Sequence, residues 1–302
     1  MTPDLSKGAA WLKGKIIPIA EATIGVTDWG LTHSDVAYDV VPVVNGAFFR
    51  LDAYLDRFAA SMQALRMDPG LTRAEIAQAL HDMVAASGLT DAYCAMVAAR
   101  GTPLIPGSRD PRDCGNHFYA WCVPYIHVIK PETLDEGASL WIARHTRRIP
   151  ADSVNPRAKN YHWGDFTQGL FEAKDNGFET VVLLDHQGNL TEGPGFNIFL
   201  VEGGTVTTPD TGVLEGISRR TALEICAGMG LETRVEPVPA SRLDSADEVF
   251  LTSSGGGVLP ITKVGQRIYG NGKPGPVATK ARETYWHWTT LPEHRTEIAD
   301  TG

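Results

Sequence analysis

Cysteine is scarce in this chain of 302 residues: Cys94, Cys114, Cys122 and Cys226 are all there is, and no two share a C-x-x-C spacing. That excludes the common zinc patterns and a dense disulfide framework. Positive charge is short too. With 27 Lys and Arg against 36 Asp and Glu, the net charge is −9, which disfavours nucleic acid and anionic membranes as partners. No apolar run is long enough to span a bilayer, and Met1-Thr2-Pro3-Asp4 shows no basic region followed by an apolar one. A P-loop lysine motif and a strand-turn-helix G-x-G-x-x-G are both missing, so nothing points to a nucleotide. Repeats and low-complexity tracts are absent as well. The expectation is a soluble, reduced, cytoplasmic protein that works on small molecules without a metal.

What is present reads as α+β. Short strands are expected at Ala9 to Leu12, Lys15 to Pro18, Val36 to Val44 and Ala47 to Arg50, the last two joined by the hairpin signal Asn45-Gly46. Leu51, Leu55, Phe58, Met62 and Leu65 make the apolar stripe of a helix over Asp52 to Leu65. Thr72-x-x-Glu75 is a capping box opening a helix that Gly88 closes. Strands follow at Ala92 to Ala99 and His117 to Pro124, with a turn-rich loop between them carrying Arg109 and Arg112. Later come a helix over Phe166 to Lys174, with Phe166, Leu170 and Phe171 on one face, and several further strands. These patterns predict a small α/β domain over 1–124, a linker over 125–137 around Pro131, and a larger domain over 138–302. The polar tail after Trp288 reads as mobile.

The chemistry gathers around Asn155-Pro156-Arg157-Ala158-Lys159-Asn160-Tyr161-His162-Trp163. A lone loop lysine is ordinarily a solvated one. Lys159, crowded by Tyr161 and Trp163, is positioned to be partly desolvated, which lowers an ammonium pKa and frees the lone pair a Schiff base needs. Three features suit an anion. Gly216-Ile217-Ser218 opens a helix, Ser253-Ser254-Gly255-Gly256 follows a strand, and Arg57 sits off its helix's apolar stripe. The plain alternatives are an N-cap serine, an ordinary turn and a surface arginine. Glu192, flanked by Gly193, Pro194 and Gly195, is either a hairpin-edge glutamate or a carboxylate close to a ligand. A lysine for an imine, a carboxylate for a ring nitrogen and a phosphate cradle are together what pyridoxal phosphate requires. A carboxylate that raises the pyridine pKa by ~2 units favours the protonated, electron-accepting ring by roughly 2.7 kcal/mol.

The set Arg57, Lys159-Asn160-Tyr161, Thr191-Glu192-Gly193-x-Gly195-Phe196-Asn197, Gly216-Ile217-Ser218-Arg219 and Ser253-Ser254-Gly255-Gly256 closely resembles the class IV, fold-type IV pyridoxal-phosphate aminotransferases. That group includes branched-chain, D-amino acid and (R)-selective amine enzymes, and the match runs from about residue 10 to residue 288. The resemblance implies that Lys159 carries the Schiff base in the larger domain and moves the substrate proton. It implies that Glu192 pairs with the pyridine nitrogen and that Arg57, Ile217, Ser218 and Ser254 hold the phosphate. Family members usually have threonine where this chain has Ser218, and often at Ser254; the hydroxyl is kept. A small α/β domain, a larger β-barrel-like domain, a site at their interface and a homodimer are also implied.

His33-Ser34-Asp35-x-x-Tyr38-Asp39-Val40, Asp91-Ala92-Tyr93, Asn160 to Asp165 and Val213-Leu214-Glu215-Gly216 look most like the (R)-selective amine transaminases. In that group Tyr38, Val40, Tyr93 and Trp163 would wall the substrate pocket. The loop after Arg100 lacks the Arg-x-His pair by which D-amino acid aminotransferases hold a carboxylate; Arg109 or Arg112 would swing in for a keto acid instead. The expected reaction moves an amino group from an (R)-amine or amino acid to a 2-oxo acid such as pyruvate. Branched-chain L-amino acid or D-amino acid transamination is the alternative, and aminodeoxychorismate lyase stands third.

Overall fold

In the computed structural model, which describes residues 4–298, the chain opens with β1 (Ala9–Leu12), β2 (Lys15–Pro18), a short helix α1 (Trp29–Thr32), β3 (Val36–Val44) and β4 (Ala47–Phe49). Helices α2 (Leu51–Ala64) and α3 (Arg73–Ser87) follow, then β5 (Ala92–Ala99) and β6 (His117–Pro124). Residues 1–3, part of the stretch read above for a leader, and residues 299–302 of the tail lie outside the described residues. Asn45 and Gly46 take φ of 48° and 74°, as a two-residue primed turn demands, and fold β3 onto β4. The capping box of α3 forms, with Thr72 accepting from the Glu75 amide and Glu75 accepting from the Thr72 amide; such caps contribute about 1 kcal/mol.

After Pro124 come α4 (Pro131–Glu136), β7 (Ala138–Arg147), α5 (Gly164–Asp175), β8 (Thr180–Leu184), β9 (Glu192–Gly193), β10 (Phe196–Glu202), β11 (Thr205–Thr208), α6 (Ile217–Gly228) and β12 (Glu232–Val235). The chain continues through β13 (Glu248–Ser253), β14 (Gly257–Val264), β15 (Arg267–Ile268) and α7 (Pro276–Trp288) to β16 (Arg295–Glu297). It forms two compact units, one of residues 1–126, 158–161 and 289–302, the other of 127–157 and 162–288.

The first unit holds an antiparallel sheet in the order β16-β4-β3-β5-β6-β1-β2. Register decides its faces. Tyr38 lies opposite Val97, Val40 opposite Ala95, and Tyr93, Ala95 and Val97 lie opposite Val123, Trp121 and Tyr119. Tyr38, Val40, Tyr93, Tyr119 and Trp121 therefore share one face. Asp39, Cys94 and Cys122 belong to the other, the side on which α2 packs against β3 and α3 against β6. Because β4 pairs only with Val43 and Val44, the front half of β3 has an open edge. Lys159 and Asn160 take it: the Tyr38 amide donates to the Lys159 carbonyl at 3.1 Å, and Ala37 bridges Asn160.

The second unit is a mixed sheet, β12-β11-β10-β13-β14-β7-β8, with β9 on β10 and β15 on β14. Its pairings close into a ring. Leu184 at the end of β8 bridges Leu190, and the chain runs on from there into β9, which returns to β10. Alternate residues fill the inside, Leu140, Val182, Ile198, Leu200, Leu251, Leu259 and Ile261 among them. On the outside of β7 and β8, Trp141, Val181 and Leu183 pack against Phe166 and Ala173 of α5.

Four expectations need correcting. The predicted linker contains a helix, because Pro131 at its first position is already set to a helical φ and needs no N–H there. Phe171 is 62% exposed, and the buried stripe of α5 runs through Phe166, Gly169 and Ala173 instead. The described part of the tail, residues 289–298, is tied down: β16 pairs with β4, and the Arg295 guanidinium donates to the carbonyls of Asn45 and Thr289. Lys159 groups with the first unit, not the larger one, because its peptide groups complete the β3 edge. No helix among the described residues is long and apolar enough to cross a membrane.

Candidate active site

Lys159 is fixed at both of its peptide groups. Its carbonyl accepts from Tyr38, and its amide donates to Ser61 Oγ at 3.0 Å. The same hydroxyl donates back to the Arg57 carbonyl one helical turn earlier, at 2.9 Å. Ser61 is fully buried, so one side chain of α2 ties together two candidate residues that lie 102 positions apart. From there the lysine stem carries Nζ to 4.3 Å above the centre of the Tyr38 ring, a cation–π contact. The Tyr38 ring in turn meets the Tyr161 ring at 4.5 Å. Burial pushes the Tyr93 phenol up to about 12, although the charge of Lys159 works against this. The Tyr161 phenol is also pushed upward by burial.

Arg57 faces the helix-covered side of the sheet. Its Nε and Nη2 donate to the two oxygens of buried Asp39, at 2.8 and 2.6 Å, and its guanidinium lies over the Tyr54 ring. Burial alone would lower its pKa, but the Asp39 charge and hydrogen bonds override that and raise it. It is a fixed cation rather than the solvated arginine its position on α2 suggests. Val40 is buried on the Tyr38 face. Arg112 is held by Asp110, whose carboxyl is drawn down to about 2 by hydrogen bonds from Arg112. Arg109 is exposed, and no ion pair engages it among the described residues.

The second unit collects the remaining candidates. Glu192, 6% exposed on β9, accepts from Arg148 Nη2 at Oε1 (3.1 Å) and from the Leu214 amide at Oε2 (2.8 Å). Asn197 donates from Nδ2 to the Leu214 carbonyl at 2.9 Å, so both polar groups of that residue are taken up beside Glu192. Two residues on, Gly216 is the N-cap of α6. A Cβ there would fall 2.3 Å from Asn197 Oδ1, so only glycine lets the chain turn this close. Ile217 and Ser218 consequently occupy the first turn of α6, where amides have no helical acceptor. Ser218 is therefore not the cap; its hydroxyl shares a 2.9 Å hydrogen bond with Tyr285 of α7. The Tyr285 ring also packs on Gly257, at the end of the turn that carries Ser254. One tyrosine thus braces both serine-bearing turns. Trp163 packs edge-on against Phe166 at 5.5 Å.

The donor set fits pyridoxal phosphate. Free first-turn amides with two hydroxyls suit a dianionic phosphate, and a buried carboxylate held by donors at both oxygens suits a protonated ring nitrogen. A half-buried lysine among tyrosines suits an imine. Arg148, Asp165, Ser61 and Tyr285 went unnoticed as site residues in the sequence. Only Ser61, four residues after Arg57, left a signal there, the spacing of a hydroxyl bonding back to its own helix.

Comparison with known proteins agrees with this geometry. The family Amino-transferase class IV matches residues 36–264. A branched-chain-amino-acid aminotransferase of Pseudomonas aeruginosa is 27% identical, with 92% of each chain covered. A D-alanine aminotransferase of Bacillus licheniformis is 26% identical over 93% of this chain and 96% of its own. The structure of a branched-chain amino acid aminotransferase from Thermobaculum terrenum in its PLP form superposes with a TM-score of 0.86 at 26% identity, covering 98% of this chain and 99% of that one. With its α+β fold, this chain belongs to the class IV aminotransferases and is a pyridoxal-phosphate-dependent enzyme.

Proposed function

We propose that the enzyme, as a homodimer, moves the amino group of an apolar (R)-amine or amino acid to a 2-oxo acid such as pyruvate. Bound pyridoxal phosphate supplies an aldehyde for primary amines and a protonated ring that draws electrons from the donor's α-carbon. Lys159 Nζ is the point of attachment, and it moves the proton between that carbon and the cofactor. Glu192, as a carboxylate, would accept a hydrogen bond from the protonated ring nitrogen. The amides of Ile217 and Ser218, the hydroxyls of Ser218 and Ser254, and Arg57 hold the phosphate. Tyr38, Val40, Tyr93 and Trp163 contact the donor's side group.

One observation carries the preference for an apolar donor: the sheet face shared by Tyr38, Val40, Tyr93, Tyr119 and Trp121 is aromatic and apolar. The acceptor's carboxylate then falls to the loop. Arg112 is already neutralised by Asp110, which leaves Arg109 as the arginine to enter. The relatives favour a second reading, transamination of branched-chain L-amino acids or D-alanine.

The test is a donor panel of (R)-1-phenylethylamine, D-alanine and L-leucine against pyruvate, repeated in Arg109→Ala and Arg112→Ala. Turnover of the aromatic amine is expected. Arg109→Ala should raise the pyruvate KM about tenfold, the loss of one charge-assisted contact worth ~1.4 kcal/mol, and Arg112→Ala should stay near wild type. Turnover of L-leucine alone would move the enzyme to the second reading. Unchanged pyruvate parameters in both variants would remove the loop arginine from the account.

A further inference from the structure

Behind Glu192 lies a buried cluster that the reaction as described does not use. Arg148, the residue after β7, is 8% exposed, and Asp165 in the first turn of α5 is 9% exposed. Arg148 Nη1 donates to Asp165 Oδ2 at 2.6 Å and Nη2 to Glu192 Oε1 at 3.1 Å. The guanidinium lies 4.2 Å over the ring of Phe166, which fixes its plane. Asp165 is itself held by the amides of Ile149 and Phe166, at 2.9 and 2.8 Å. Arg148 Nε is buried without a hydrogen-bond partner, at a cost of about 1–3 kcal/mol. Arg219 lies within electrostatic reach of Glu192 but spends its donors on Thr208 Oγ1 and the Pro209 carbonyl.

We propose that Arg148 is a positioning residue for the cofactor ring: shared between Asp165 and Glu192, it keeps Glu192 a carboxylate, so that the proton between glutamate and ring stays on the ring nitrogen. This rests on the role of Glu192 proposed above. Glu192 meets hydrogen-bond donors at both oxygens, Arg148 at one and the Leu214 amide at the other. Donors at both oxygens favour the charged carboxylate over the acid. Removing the guanidinium leaves two buried carboxylates facing each other's field. One of them then takes up a proton. If that one is Glu192, it donates to a neutral pyridine instead of accepting from a pyridinium, and the ring loses its pull on electrons.

Holoenzyme loaded with cofactor labelled with ¹⁵N at the ring tests this by NMR. Wild type should show a pyridinium shift, Arg148→Gln a move toward neutral pyridine, and Arg148→Lys, which restores the charge without the two-pronged geometry, a value between. In the amine half-reaction Arg148→Gln should lose about 10- to 100-fold in kcat with little change in KM, as for other residues that orient a reacting group from behind. Arg148→Met with Asp165→Asn removes one charge of each sign, a change buried pairs tolerate; if Arg148→Gln does not fold, it reads the loss of the guanidinium at Glu192 without the Asp165 charge, and a smaller move toward neutral pyridine is expected. A wild-type shift in a folded variant lacking the guanidinium overturns the proposal. Glu192→Gln separates the two levels. If it moves the shift and the Arg148 variants do not, the inference about Arg148 alone fails; if it moves nothing, the role of Glu192 fails as well.

Discussion

Tyr93 shows how burial sets a chemical boundary. Its phenol is held up to about 12 against an ordinary 10, chiefly by burial, with Lys159 opposing. Below pH 10 the folded and unfolded chains both keep this proton, and the contribution to stability is complete. Between about 10 and 12 the unfolded chain gives up the proton first, so stability falls as pH rises. Over that window Tyr93→Phe should lose about 2–3 kcal/mol less than wild type, measured by denaturant unfolding at stepped pH. Equal alkaline losses in the two proteins would show that the phenol is not protected. The residues proposed to carry the reaction were the most legible candidates in the sequence, because a lysine, a glutamate between glycines and a serine at a helix start are local patterns. Arg148 and Ser61 were not, since each acts on residues 44 and 98 positions away, at Glu192 and Lys159 respectively.

Elements with their own signal were read almost to the residue. β3 follows from an apolar run ending at a primed turn, and α3 from its capping box. Where period and burial disagree, the reading failed. Phe171 keeps the apolar pattern of α5 yet is exposed, because Gly169 is what brings that helix against Val181 and Leu183. β16 was missed because a three-residue polar strand is defined by the β4 edge it joins and not by its own side chains. The turn from β13 to β14 offers a direct test at this scale. Gly257 has φ of 70°, and a Cβ there would come 2.6 Å from the Tyr285 ring. Gly257→Ala should cost about 1–3 kcal/mol and, by displacing Tyr285 from Ser218, weaken cofactor binding severalfold. Thermal unfolding and cofactor titration check the two halves. An unchanged dissociation constant with a lowered Tm would leave Tyr285 a packing residue only.

The whole molecule cannot be cut into its two units at one point. The chain passes from one to the other after residues 126, 157, 161 and 288. A fragment of residues 1–126 would contain most of the first sheet but leave β3 open along its front half and β4 without β16. Unpaired edges of this kind associate, so the fragment should aggregate or unfold without a cooperative transition, as seen by light scattering and circular dichroism. A monomer that melts at the Tm of the full chain would contradict this. The excursion of residues 158–161 also sets how freely the Lys159 amine, proposed here to react, can roam. With Lys159 moored to Ser61 on one side and Tyr38 on the other, all its slack lies in a tether of four methylene groups. A change of loop sequence around 155 or 163 that leaves those moorings alone would alter what the amine meets without altering where it starts.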